Sequence, residues 1–263
     1  MGTQIVTLTT DWGNRGFFNG MVKGFLYSRI DNLQVIDNTH YITPYSPFEA
    51  AFVVKHSCPY YPKGTIHIID VLTKYSPSTP FVVVVADGQY YICCDNGLPF
   101  AALGDTIESV WEIPVEEKRY YNFAAYTSFV TVAVAIAQHN DFDKFLNPYE
   151  NLNQGILLQK PYMIDDGSYN VQVQYIDSYG NIYLGITIDE FRELRGSHKN
   201  FELRVRDKYI SKIYNSYYDQ VDDLCLTVSA TGLLEVARMG KSFMNSIGNG
   251  NIKIGSFANI RFF

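Results

Sequence analysis

Apolar runs and helical stretches alternate through the first half of the chain. Residues 5–9 are apolar and β-branched and end in the polar loop Thr10-Asp11-Trp12-Gly13, which predicts a strand running into a turn. Helical periodicity follows over residues 20–30, then a second strand over 34–38. Residues 47–58 predict a helix, with Ser46 placed to cap it and Pro47 at its first position, where a missing N–H costs nothing. Strands are predicted at 65–70, 81–86 and 90–94, the last two joined by the turn pair Asp87-Gly88. Residues 126–138 are β-branched but long, and length assigns them to a helix.

Beyond about residue 155 the pattern shortens into alternating strands at 169–177, 182–186, 201–205, 224–228 and 252–254. Turn signals separate them at Asp166-Gly167, Tyr179-Gly180-Asn181 and Gly248-Asn249-Gly250. The expectation is an α/β N-terminal domain with a central sheet over residues 1–155 and a small antiparallel β-barrel domain over 156–263.

Composition narrows the functional classes. The 263 residues carry 21 Lys+Arg against 27 Asp+Glu, a net charge of −6, so no basic field is available for a nucleic acid backbone or an anionic membrane. The longest apolar runs, 81–86 and 129–137, fall far short of the roughly 20 residues that span a bilayer. With no leader pattern at the N-terminus, the expected location is cytoplasmic. Cys58, Cys93, Cys94 and Cys225 lack Cys-x-x-Cys spacing and read as buried free thiols, with no metal site implied. Aromatics reach 15%, with 21 Tyr and 17 Phe, enough to pack cores and also to stack on a ligand.

The chemistry begins at Asp11. A carboxylate just past the first strand of an α/β sheet lies where such sheets bind ligands and can accept two hydrogen bonds from a vicinal diol; it can equally cap the following helix. Read in order, Leu8-Thr9-Thr10-Asp11-Trp12-Gly13, Met21-Val22-Lys23-Gly24, Val35-Ile36-Asp37-Asn38-Thr39-His40 with Ile42-Thr43-Pro44, Pro62-Lys63-Gly64-Thr65-Ile66-His67-Ile68-Ile69-Asp70 and Asp95-Asn96-Gly97-Leu98 form one series. This series resembles the S-adenosylmethionine (SAM) hydroxide adenosyltransferase family, relatives of the fluorinase and chlorinase enzymes. The match is best over the first hundred residues or so and weaker beyond.

The resemblance implies a homotrimer with sites at subunit interfaces, SAM or adenosine as ligand, no other cofactor, and attack at C5′ of SAM that releases methionine. It assigns Asp11 to the ribose diol and Tyr45 to an aromatic wall beside the sugar, though Tyr45 also fits packing at a helix start. The pair Asn96-Gly97 reads first as a turn. In Asp177-Ser178-Tyr179-Gly180-Asn181-Ile182-Tyr183, the resemblance gives Asp177 and Asn181 to the two ends of methionine and Tyr183 to stacking; a plain hairpin turn explains the same residues. Ser229-Ala230-Thr231-Gly232 and Ala237-Arg238-Met239-Gly240 resemble the stretch that grips adenine and carboxylate, which brings in Ser229, Arg238 as a carboxylate partner or a solvated helix residue, and Gly240.

The catalytic constellation departs from the family pattern. Asp70 is kept, but the following Pro-Gly-Val-Gly is replaced by Val71-Leu72-Thr73-Lys74-Tyr75, the expected Arg falls near Pro77 with Lys74 the nearest cation, and the expected His is Ala124. Ala cannot relay a proton, and a positioned acid or base supplies about 10²–10⁴ in rate. Of the five His, His40 and His67 lie in fold-bearing motifs, His56 on a helix, and His139 and His198 on the surface. A halide route needs no base, and Thr73 is the one hydroxyl that suggests a halide pocket. The reading is therefore an adenosine-forming SAM hydrolase with a degraded constellation, Asp70 and Lys74 handling the water. The alternatives are an inactive SAM or adenosine binder, or a retained scaffold that binds something else.

Overall fold

The computed structural model describes residues 2–115, 122–155, 158–219, 224–245 and 252–263. The chain divides into two compact units, Met1–Leu157 and Leu158–Phe263.

In the first unit, β1 (Gln4–Thr10), β2 (Leu33–Thr39), β3 (Ile66–Asp70), β4 (Phe81–Ala86), β5 (Gln89–Cys94), β6 (Ile107–Glu112) and β7 (Asn147–Pro148) form a mixed sheet in the order β2-β1-β3-β5-β4-β6-β7. The β2-β1-β3-β5 part is parallel and the remainder antiparallel. Helices α1 (Phe18–Tyr27) and α2 (Pro47–Ser57) follow β1 and β2; α3 (Leu98–Leu103) and α4 (Val130–Ala137) come later. Alternation along the strands sends side chains to two cores. Val6, Leu8, Ile66, Ile68 and Val83 join α1 and α4, while Ile69, Val82 and Val84 join α2 and α3. Strands buried on both faces explain why they read as continuous apolar runs.

The local signals act as expected at two places. Ser46 Oγ accepts the Glu49 N–H at 3.3 Å, and Pro47 starts α2. Asp87 and Gly88 both take positive φ, +50° and +71°, the two-residue turn whose twist suits a hairpin. Length misjudged the opening of the predicted 126–138 helix, which is a π-helical turn, Ala125–Phe129, running into α4. The helix expected at 20–30 starts earlier and ends at Tyr27.

The named strands of the second unit pair antiparallel: β8 (Tyr162–Met163), β9 (Tyr169–Ile176), β10 (Ile182–Thr187), β11 (Phe201–Val205), β12 (Lys208–Ile210), β13 (Leu224–Val228), β14 (Leu233–Arg238) and β15 (Phe257–Phe262). The order is β12-β11-β15-β9-β10-β14-β13, with β8 on β9. A parallel bridge from Ile213 to Leu226 draws the two ends together into a nearly closed barrel. Inward residues of alternate strands, with Phe191 from α5 (Ile188–Arg195), fill it. Thr187 and Glu190 cap α5 reciprocally, a Thr-x-x-Glu signal present in the sequence but overlooked there. The strand expected at 252–254 is not one; the pairing strand is β15, whose alternation of Ala258 and Ile260 inward is the stronger pattern. The turn expected at Gly248-Asn249-Gly250 lies outside the described residues.

Candidate active site

Strand order reverses between β1 and β3, and open α/β sheets bind ligands beyond the carboxyl ends of their strands at such a switch point. Asp70 is the last residue of β3, paired across from Thr10, and Asp11 is the next residue along. Both carboxylates named from sequence therefore stand at the same crevice, close enough for Asp11 to act electrostatically on Asp70.

Asp70 is buried. Trp12 Nε1 donates to its Oδ2 at 3.1 Å, and the Ala125 amide, at the start of the π-helical turn, also donates to it. Burial pushes its carboxyl up to about 6; the Thr73 hydroxyl draws it back, the Asp11 charge raises it, and the Trp12 and Ala125 donors lower it. Trp12 is itself clamped. It stacks on His40 at 5.8 Å and meets Phe123 edge-on at 5.1 Å. His40 is fixed by Thr10 Oγ1 at 2.7 Å and Asp37 at 3.1 Å, which confirms a supporting role in the fold. His67 likewise bridges Thr7 and Gln89 within the sheet, and burial drives it down to about 4, so it is neutral near pH 7.

Asp11 Oδ2 accepts the Tyr45 N–H at 2.9 Å, and this bond holds Tyr45 at φ +64° with its ring exposed. The Tyr45 ring is thus unpacked, and packing at the helix start is not its role. Lys74 is anchored by its backbone, its carbonyl accepting Thr79 Oγ1 at 2.9 Å; among the described residues no ion pair joins it to Asp70. Pro77 sits inside the tight Ser76–Thr79 turn. Ala124 is 2% exposed and packs in the core beside α1 and α4. All four cysteines are buried and unpaired.

A second group of predicted residues meets in the barrel unit. Asp177 Oδ1 accepts the Tyr179 and Asn181 amides at 2.9 and 2.8 Å, and Oδ2 accepts Asn181 Nδ2 at 3.2 Å and the Tyr183 hydroxyl at 3.4 Å. This is a hairpin turn whose side chains also face a cavity of about 620 Å³ lined by Asp177, Tyr183, Tyr217, Arg238 and Gly240. Gly180 is required there: φ is +79°, and a Cβ would come within 2.1 Å of Ser242 Oγ. Arg238 closes β14 and is not on a helix. Ser229 sits at the opposite end of the β13–β14 hairpin, bonded to Thr231 at 2.8 Å, and does not line the cavity.

Sequence reasoning missed Glu235. It is buried on β14, accepts the Tyr217 hydroxyl at 2.7 Å, and is shifted upward by burial, with Asn181 bonding it and the Asp177 charge adding to the shift. An acidic residue inside the apolar run Leu233-Leu234-Glu235-Val236-Ala237 was the available signal.

With this geometry in view, residues 6–146 match the SAM hydroxide adenosyltransferase N-terminal domain and residues 171–250 match its C-terminal domain. The chain belongs to the SAM hydroxide adenosyltransferase family. It is 26% identical over 251 residues, 89% of this chain and 88% of the relative, to the (R)-S-adenosyl-L-methionine hydrolase of Methanocaldococcus jannaschii. Among solved structures, an uncharacterized conserved protein from Thermotoga maritima superposes with a TM-score of 0.80 at 21% identity, covering 98% of this chain and 99% of that one. A conserved hypothetical protein from Thermus thermophilus gives 0.74 at 18% identity, covering 99% and 100%. These two establish the fold, an α/β unit followed by a barrel-like unit.

Proposed function

We propose that this family member cleaves SAM by attack of water at C5′. The C5′–O bond forms as the C5′–S bond breaks, the sulfonium takes the electron pair and leaves as methionine, and one proton is released with adenosine. Asp70 carries the reading. A buried carboxyl lifted to about 6 at the switch point is ionised at neutral pH, yet basic enough to accept the proton water loses. The leaving group already bears positive charge, so the main tasks left are alignment and exclusion of bulk water. Asp11, with Oδ1 free of protein donors among the described residues, accepts the ribose hydroxyls. In a homotrimer, the Asp177–Tyr183 turn and Arg238 of a neighbouring subunit supply the methionine end.

The second reading, a SAM or adenosine binder without turnover, is favoured by one observation: Ala124 stands where the family His is expected, and no cation is among the groups that set the Asp70 charge. Incubation with SAM, followed by chromatography, separates the two. Adenosine and methionine in equal amounts support hydrolysis; calorimetric binding without products supports the binder.

A further inference from the structure

We propose that Trp12 is the residue that positions Asp70, standing in for the cation that the family pattern expects and this chain lacks there, and that His40 is the residue that holds Trp12 in place. The inference rests on the hydrolytic reading above and deepens it.

Among the described residues Asp70 has no ion pair. Neutral donors meet it instead: the Trp12 indole at 3.1 Å, the Thr73 hydroxyl and the Ala125 amide. An indole N–H suits the partner of a base. It can only donate, so the direction of its bond to Oδ2 is fixed, and Trp12 cannot itself take the proton that passes from water to Asp70. It carries no charge, so it orients the carboxylate without the drop of about 1–3 in pKa that a neighbouring cation would impose. The carboxyl stays lifted to about 6 while one of its oxygens is held. The other titratable groups near it are Asp11, whose charge raises it, and Cys94, whose thiol burial pushes up to about 12 and keeps neutral.

Trp12 sits in a cage of rings. Besides the stack on His40 and the edge-on contact with Phe123, Phe18 lies against it at 6.0 Å, and Phe18 and Phe123 meet each other at 5.0 Å. His40, 3% exposed, holds more than the ring. Its carbonyl accepts the Gly13 N–H at 2.7 Å and its Nδ1 pairs with Thr10 Oγ1 at 2.7 Å, so one residue ties both ends of the 10–13 loop that carries Asp11 and Trp12. The Trp12 amide reaches the same Thr10 oxygen at 3.5 Å, which leaves the Thr10 proton for Nδ1 and the His40 proton on Nε2, 3.1 Å from Asp37. Asp37 in turn bonds Lys23 at 2.7 Å. A line of contacts therefore runs from buried Asp70 through Trp12, His40 and Asp37 to an ion pair at the surface. A side chain whose rotamer is fixed by packing and by hydrogen bonds behind it keeps its partner in the productive geometry.

The chain has two Trp, so its NMR spectrum carries two indole N–H signals. In the ligand-free wild type one of them is expected to move with a midpoint of about 6 and to stop moving in Asp70→Asn. If neither signal responds between about pH 4 and 8, or if the response survives Asp70→Asn, the inference is overturned. Trp12→Phe keeps a ring in the cage and removes the N–H. It is expected to lose about 10- to 30-fold in kcat with KM within about threefold, and the lower limb of its pH–rate profile moves up, because a donor to the charged carboxylate is gone. Wild-type kcat with an unmoved profile in that variant also overturns the inference. His40→Phe keeps a flat ring against Trp12 but gives up both nitrogens. It should move the profile the same way by less and add little to Trp12→Phe, because both act on one geometry. Multiplying losses in the double variant overturn the part played by His40. If the wild type forms no adenosine, the hydrolytic reading fails on its own, and the indole titration still decides whether Trp12 holds Asp70.

Discussion

Asp70 and Asp177 are both carboxylates at the end of a strand, yet the protein treats them in opposite ways. Asp177 accepts bonds from Tyr179, Asn181 and Tyr183, all within six positions along the chain, so its oxygens are satisfied by its own turn. Asp70 is more deeply buried, draws donors from residues 12 and 125 as well as from nearby Thr73, and keeps a raised proton affinity. A carboxylate satisfied by its own turn is suited to rigid recognition; one whose proton affinity is raised by desolvation is suited to act as a base. In the proposed reaction the same contrast gives proton transfer to Asp70 of the sheet unit and the methionine end to the Asp177 turn of the barrel unit.

If that contrast is right, the largest effect comes from Asp70→Asn. Turnover should fall about 10²- to 10⁴-fold while SAM affinity stays within a few-fold, measured by chromatography and calorimetry. Stability moves the other way. The folded protein holds the Asp70 proton more tightly than the unfolded chain, so between the ordinary carboxylate range and about pH 6 stability falls as pH rises, and it levels off above. Asp70→Asn should therefore unfold at a higher temperature than wild type at pH 7.5 and lose this advantage near pH 4. Wild-type turnover should drop about tenfold per pH unit below about 6.

Next in size is Asp11→Ala, which removes the acceptor for two ribose hydroxyls and the anchor for the Tyr45 amide. Its cost is about 2–4 kcal/mol in SAM or adenosine binding, read by calorimetry on a folded variant. Unchanged adenosine affinity would sink the ribose assignment. The smallest effect is expected at Glu235→Gln. Gln keeps an acceptor for Tyr217 but removes a buried charge whose proton is held more tightly when folded, so the melting temperature should rise by about 2–4 °C at pH 7.5 and not near pH 4. A drop in stability at pH 7.5 would mean that the barrel depends on that charge.

What could be read in advance follows the same division between local and distant partners. The Asp177–Tyr183 turn was legible because Gly180 and Asn181 announce it and its bonds close within a few residues. Asp11 and Asp70 were legible because each ends an apolar strand. Their environment was not: the Trp12 indole and the Ala125 amide reach Asp70 across 58 and 55 positions, and the Asn96 side-chain amide reaches the Val71 carbonyl across 25, through packing that no local pattern encodes. Ser229 shows the reverse limit. It sits in a motif near Arg238 in sequence, but an extended hairpin carries the two to opposite ends. The length rule that assigned 126–138 to a helix has no term for the π-helical turn that aims the Ala125 amide.

Hydrolysis at C5′ is tested most directly by incubating the protein with SAM in ¹⁸O-labelled water and weighing the products. Adenosine carrying one ¹⁸O at its 5′ oxygen, with unlabelled methionine, is the predicted result, and Asp70→Asn should give neither in quantity. Protein that binds SAM by calorimetry yet leaves it intact in that water would contradict hydrolysis and leave the binder as the account of this chain.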